Sequence, residues 1–175
     1  LTDTLMRMRQ GLRALFAFSL PVDRDLAAEY LSPDLLALFD ALNRGERYHS
    51  LNVLRQVLAD GPTPRELAIA ALLHDAGKSR YSMNVWQKTL SVLVKKLLPG
   101  AYARWSAADP AVHPWARPYV VREQHPAWSA ALARAAGAPE AAVWLIEHHA
   151  EPASQWEGHP LVPLLRRLQA SDDAN

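Results

Sequence analysis

The sequence predicts an all-α domain, and three observations predict it. Apolar residues recur at three- and four-residue spacing along most of the chain, helix-starting punctuation separates those runs, and no stretch alternates apolar and polar residues as a half-buried strand would. The spacing places helices at roughly 3–18, 23–30, 33–43, 46–59, 64–76, 84–98, 116–124, 127–136, 140–149 and 161–173. Ser32 before Pro33 opens one of them, and Thr63-Pro64 with Glu66 opens another; each is a cap residue followed by a proline in the first turn. Gly61, Gly77, Gly100 and Gly137 sit where such helices stop. Residues 99–118, "PGAYARWSAADPAVHPWARP", hold four prolines and read as a long surface loop of the kind that covers a binding site.

Composition narrows the function classes. At 175 residues the chain is long enough to bury a real core, and with half its residues apolar it is not a disordered segment. A formal net charge of +1 gives no polyanion-coating surface, so nucleic acid is not the expected partner. The absence of cysteine excludes disulfides, thiolate metal sites and a cysteine nucleophile, and it fits a cytoplasmic location. Any metal must be held by nitrogen and oxygen. The opening "LMRMRQGLRALFAFSLPVD" reads as an amphipathic helix, because Arg13 interrupts its apolar patch and no small-residue cleavage site follows. No run reaches the roughly 18 apolar residues of a membrane span. Residues 1–44 form an N-terminal helical segment in this reading, and residues 45–175 the main domain.

The placement of the histidines carries the functional reading. His74 follows Leu67, Ala70 and Ala71 on one helix face, His49 shares a face with Val53 and Val57, and His148 shares one with Ala141, Trp144 and Leu145. All three are expected to point inward. Along the last helix the stripe Leu161, Leu164, Leu165, Leu168 continues to Asp172, whereas Asp173 is turned about 100° away. Single core histidines are commonplace, each bonded to a carbonyl. Several imidazoles and carboxylates in one core are different: unpaired, each would cost several kcal/mol, and a metal ion satisfies them together. His148 and His149 are adjacent and meet one ion only where their helix ends, which it does at "HHAEP". His125, before Pro126 at an expected helix start, is either an exposed loop residue or a ligand projecting from a cap. His113 and His159 precede prolines in loops and read as surface residues.

In order, the chain presents "RYHSLNVLRQV" with His49, "LLHDAGK" with His74 and Asp75, "EQHPAWSAALARAAG" with His125, "AVWLIEHHAE" with His148 and His149, and then Asp172. This series, over about residues 45 to 173, resembles the HD-domain metal-dependent phosphohydrolase superfamily. The extra histidines resemble its two-metal branch, which includes the cyclic-dinucleotide phosphodiesterases of the HD-GYP type. The resemblance implies a helical bundle with a metal site in its core. It implies one divalent ion on His49, His74, Asp75 and Asp172, and a second on Asp75, His125, His148 and His149. The chain departs from the HD-GYP pattern at "EGHP", where His159 stands in place of the tyrosine of Gly-Tyr-Pro.

The implied reaction is hydrolysis of a phosphate ester, monoester or diester, of a nucleotide, cyclic dinucleotide or related small molecule. Asp75 suits a bridging role because a carboxylate offers two oxygens. Imidazole and carboxylate donors suit iron or manganese, with zinc, nickel, cobalt and magnesium also open. Lys78, just past Gly77, is either a cation for the substrate phosphate or a lysine completing a helical turn, and the resemblance favours the first; Asp75 and Lys78 are the expected catalytic residues. Arg80, Lys88, Arg117 and Arg122 are secondary candidates for phosphate contacts. Trp105 and Trp115 are placed to stack a ring, whereas Trp86, Trp128 and Trp144 fall in helical patterns and read as core. The helix "VWQKTLSVLVKKLLP" reads as core, partner surface or shallow membrane contact, in that order. Two further functions stay open: a non-catalytic HD module that works by binding, and a di-iron oxygenase of the same fold.

Overall fold

The computed structural model describes residues 22–175, and among them it contains helices and short 3-10 turns but no strand. The helix expected at 3–18 lies outside the described residues. The helices are α1 (Arg24–Tyr30), α2 (Pro33–Ala41), α3 (Arg44–Ala59), α4 (Arg65–Leu73), α5 (Val85–Leu97), α6 (Pro99–Ser106), α7 (Arg117–Ala135), α8 (Glu140–His148) and α9 (Val162–Asp173). A 3-10 turn over Ala76–Arg80 follows α4, and two others, Pro114–Ala116 and Ala153–Trp156, precede α7 and α9.

Side-chain caps set several of the starts. Asp23, Ser32 and Asn43 each accept a backbone N–H from three residues on, and Asn84 forms a reciprocal capping box with Gln87. Thr63 is not the cap of α4. Its hydroxyl donates back to Val57 O and Gly61 O, and Pro64 occupies the cap position. Gly61 and Gly137 end α3 and α7 with φ of +124° and +81°, the left-handed backbone that glycine adopts without a Cβ clash.

Every residue of α4 from Leu67 to Leu73 is buried, so this helix is the axis of the bundle rather than a surface helix with one apolar stripe. It packs mainly on α3 and α8, with α9 bridging to both, and α7 covers α8 and the turn after α4. One continuous core joins Phe39, Leu51, Leu54, Leu72, Leu145, Ile146, Leu165 and Leu168, and it includes Ala27, Leu31 and Leu35 from the first two helices. A smaller cluster of Val94, Tyr102 and Tyr119 seats α5 and α6 on α7.

Three expectations change. The stretch 99–118 is not one long loop. Pro99 occupies the first turn of α6, Pro114 starts a 3-10 turn and Pro118 lies in the first turn of α7, where a missing N–H removes no helical hydrogen bond. The helices expected at 116–124 and 127–136 are a single α7 that runs through Pro126. The carbonyl that Pro126 leaves without a donor is Arg122 O, and His125 Nδ1 lies 3.1 Å from it and 3.0 Å from Val121 O. Trp86, expected in the core, is 82 % exposed, because α5 seats Ser91 and Val94 on the body of the protein instead. No helix among the described residues is long and apolar enough to cross a membrane.

Candidate metal centre

The site forms where α4 ends. His74 is the helix's C-cap residue, fully buried, and the chain then tightens into the Ala76–Arg80 turn, which aims Asp75 beside it. The turn lies against α7 because Gly77 has no side chain: a Cβ there would stand 2.5 Å from His125 O and 2.9 Å from Ser129 N. The Gly77 N–H donates to Ser129 Oγ at 2.8 Å, which ties the turn to the helix carrying His125. Gly77 is therefore a close-approach glycine, not the left-handed helix stop its spacing suggests.

Four imidazoles surround Asp75 in an edge-to-face row. Ring centroids are 5.4 Å apart for His49 and His74, 5.0 Å for His74 and His149, and 5.2 Å for His149 and His125. The Asp75 carboxylate is divided between them. Its Oδ2 lies 3.9 Å from His49 Nε2, 3.6 Å from His74 Nε2 and 2.6 Å from Lys78 Nζ. Its Oδ1 lies 3.3 Å from His125 Nε2 and 4.0 Å from His149 Nε2. From α9, Asp172 Oδ1 approaches His49 Nε2 at 2.9 Å and His74 Nε2 at 3.6 Å.

The three interior rings are held in one tautomer. His74, His125 and His149 each set Nδ1 against carbonyls of their own helices: Ala71 O, Val121 O with Arg122 O, and Ile146 O. A carbonyl only accepts, so Nδ1 carries a proton and Nε2 is the nitrogen turned to the centre, the one a metal would take. This is how metal-ligating histidines are oriented by a neighbouring acceptor. His74 Nε2 is moreover fully buried and without a hydrogen-bond partner. Ligand atoms of His49, His74 and Asp172 all lie within 4.8 Å of one another, as do those of His74, Asp75 and His149. Both groups fit a divalent cation.

The protonation pattern shows the same demand. Burial opposes charge on His74, yet Asp75 and Asp172 together outweigh it and raise this imidazole to about 9. Burial and the neighbouring His74 and His125 hold His149 neutral, down to about 3. Burial works against charge on both carboxylates as well, but Lys78 and His74 keep Asp75, and His49 and His74 keep Asp172, well below the usual range. Lys78 is raised: against burial, Asp75 and Glu46 hold its charge. The centre is a buried anionic locus that a proton on His74 and the Lys78 ammonium neutralise, which is the task a metal ion performs.

Of the residues singled out in the sequence, the fold brings His49, His74, Asp75, Lys78, His125, His149 and Asp172 together. It does not bring His148. That ring packs on Trp144 and Trp156 at 4.8 and 4.1 Å and sets Nδ1 3.1 Å from Glu151 Oε2. The buried stripe of α8 is Ala142, Leu145, Ile146 and, past its end, His149; His148 continues the half-buried stripe of Ala141 and Trp144. His113 is exposed and packs on Trp115, and His159 stacks on Trp144 at 3.9 Å.

A cleft of about 710 Å³ opens over the centre, lined by Asp75, Lys78, His125, His149, Glu151 and Asp172 and walled by Lys88, Lys95 and Arg122. Its size suits a small-molecule ligand. Arg80 lies over Trp128 and Arg117 over Tyr81, away from this lining, and Trp105 and Trp115 pack on each other beside Tyr119. Two contributors escaped the sequence reading. Glu46, one turn before His49 on the same face of α3, is buried and paired with Lys88. Gln169, one turn before Asp172, donates to His149 O and Glu151 O and so pins the turn after α8. The three-residue spacing from Glu46 to His49 and from Gln169 to Asp172 was the available signal.

The HD domain family model matches residues 47–174, a span that begins two residues before His49 and ends two after Asp172. The chain belongs to the HD domain family. Comparison with curated proteins and with solved structures finds no match. An HD domain whose core holds buried His/Asp groups suggests a metal-dependent phosphohydrolase in general.

Proposed function

We propose that this HD domain hydrolyses a phosphate ester of a nucleotide or related small molecule at a binuclear metal centre. The observation that carries the reading is the division of Asp75. One oxygen faces His49, His74 and Lys78 and the other faces His125 and His149, which is the arrangement of a carboxylate shared between two cations. His49, His74, Asp75 and Asp172 would hold one ion; Asp75, His125 and His149 would hold the other. His148 is left out of that set; its Nδ1 lies against Glu151 Oε2, which also accepts from Trp156 Nε1. Bound there, divalent ions supply Lewis-acid charge neutralisation and an activated water. All-nitrogen and oxygen donors favour iron or manganese.

The chain's own groups do the rest. Lys78 reaches the same oxygen of Asp75 as the two histidines, so its ammonium stands at the edge of the centre, placed to take a phosphoryl oxygen of the substrate. Lys88, Lys95 and Arg122 line the cleft beyond it and complement a second anionic or polar part of the ligand. The buried rings exclude water from the side facing the core. The four cations that line the cleft, Lys78, Lys88, Lys95 and Arg122, favour a hydrolase over an oxygenase or a purely structural ion site.

The test is elemental analysis of protein purified without chelator or histidine tag, then phosphate release with added manganese from nucleotide monoesters and from diesters, cyclic dinucleotides included. Close to two ions per chain with turnover supports the proposal. Two ions with no release from either class of ester would refute it.

A further inference from the structure

Helix α5 is amphipathic in the opposite sense to a helix that shields a core. At about 100° per residue, Trp86, Leu90, Leu93 and Leu97 fall within an arc of about 60°, opposite Lys88 and Lys95. The polar side faces inward: Lys88, Ser91 and Lys95 line the cleft. The apolar stripe faces out, with Trp86 82 %, Leu90 47 %, Leu93 50 % and Leu97 63 % exposed. Scattered exposed leucines are ordinary, but a continuous helical stripe ending in a tryptophan marks a surface that something apolar covers.

The charge around the stripe identifies the occupant. From Ser82 to Ala108 there is no acidic residue, while Lys88, Lys95, Lys96 and Arg104 are all cationic. Lys88 and Lys95 are paired with Glu46 and Glu123 on the cleft side, which leaves Lys96, about 60° from Leu93 on the wheel, and Arg104 of the next helix to serve the outer side. Both are exposed. A symmetric dimer through this face would bring a second acid-free 82–108 segment against Lys96 and Arg104, with no carboxylate from it to meet them. An anionic lipid surface accepts both features: the apolar stripe enters the headgroup boundary, and the cations meet lipid phosphates. We infer that the outer face of α5, with Lys96 at its border and Arg104 on the next helix, docks this protein on anionic membranes. In that pose the helix that walls the cleft lies between the metal centre and the bilayer.

The experiment is co-sedimentation of the full chain with vesicles of phosphatidylcholine containing phosphatidylglycerol, and with phosphatidylcholine alone. Binding is expected to the anionic vesicles and to weaken with salt. Leu93→Glu abolishes it. Lys96→Gln with Arg104→Gln lowers the partition coefficient roughly thirty-fold, since each cation near an anionic surface contributes about five-fold. These positions are exposed, so circular dichroism and the melting temperature stay at wild-type values and report that the variants fold. Absence of binding to anionic vesicles overturns the inference. So does binding that survives Leu93→Glu, which would assign it to the basic residues of the N-terminal segment retained in every variant. A lipid-free dimer in sedimentation velocity that Leu93→Glu dissociates would assign the face to a second copy and overturn it too. None of these readouts uses turnover, so the membrane inference and the proposed reaction stand or fall separately.

Discussion

Gly77→Ala tests the closest packing in the protein and, through it, the geometry of the centre. The added Cβ would lie 2.5 Å from His125 O and 2.9 Å from both Ser129 N and Trp128 Cβ. Two of the three are backbone atoms of α7, which cannot rotate aside. An ordinary carbon-to-oxygen contact is about 3.3 Å, so the Ala76–Arg80 turn must retreat by roughly 0.8 Å. Overpacking of this kind costs about 1–3 kcal/mol, and weakening the Gly77 N–H bond to Ser129 adds about 1 kcal/mol. Alanine's smaller unfolded-state entropy returns about 0.5 kcal/mol. The net loss of about 1.5–3.5 kcal/mol corresponds to a melting temperature lower by roughly 3–14 °C in a chain of this size. The same retreat carries Asp75 and Lys78 away from His125, whose Nε2 is 3.3 Å from Asp75 Oδ1, so bound metal should fall toward one ion per chain. Gly100→Ala is the control. It lies inside α6 with nothing within 4 Å of its Cβ and should raise the melting temperature slightly. Calorimetry and elemental analysis on the three proteins decide the matter. A Gly77→Ala protein that melts within about 1 °C of the parent and keeps its metal would show that the turn does not need this approach.

Further outcomes follow from the site. His149→Ala should lower metal content, while His148→Ala should leave it unchanged; equal loss of metal from both would restore His148 to the ligand set. Lys78→Ala should keep metal and lower phosphate release by roughly two orders of magnitude, as loss of one charge-stabilising donor typically does; an unchanged rate would make Lys78 only the partner of Asp75. In the metal-free protein His74 is raised from about 6.5 to about 9, so its stabilising proton is fully present below 6.5 and is lost as pH rises through 9. Metal-free protein should therefore melt lower at pH 9 than at pH 6.5. Metal binding at neutral pH should in turn release a proton and tighten as pH rises toward 9, which isothermal titration in buffers of different ionisation enthalpy measures; no proton release would argue that the ion does not take His74 Nε2.

How much was legible follows from what each feature depends on. Helices α1 to α3 start at side-chain caps, α4 and α8 follow a proline, α9 has one in its first turn, and each repeats at helical spacing; those are properties of a few consecutive residues. Proline was the exception. In 99–118 and at Pro126 it read as a breaker, whereas Pro99, Pro114 and Pro118 sit in first turns and Pro126 has its orphaned carbonyl taken by His125. That second case also moved His125 from an expected helix start to the buried middle of α7. His148 and His149 were inseparable as neighbours in sequence; only the packing of α8 on the core turned one ring to Asp75 and the other to Glu151.

The sequence by itself determined the all-α class, the HD family and the inward choice of Asp172 over Asp173, because helical periodicity converts spacing directly into a face. Tertiary structure decided the rest. The division of Asp75 between two sets of imidazoles, the recruitment of Glu46 and Gln169, the packing requirement at Gly77 and the outward stripe of α5 all depend on which helix lies against which. Spacing along one helix says which residues share a side, but not what that side meets.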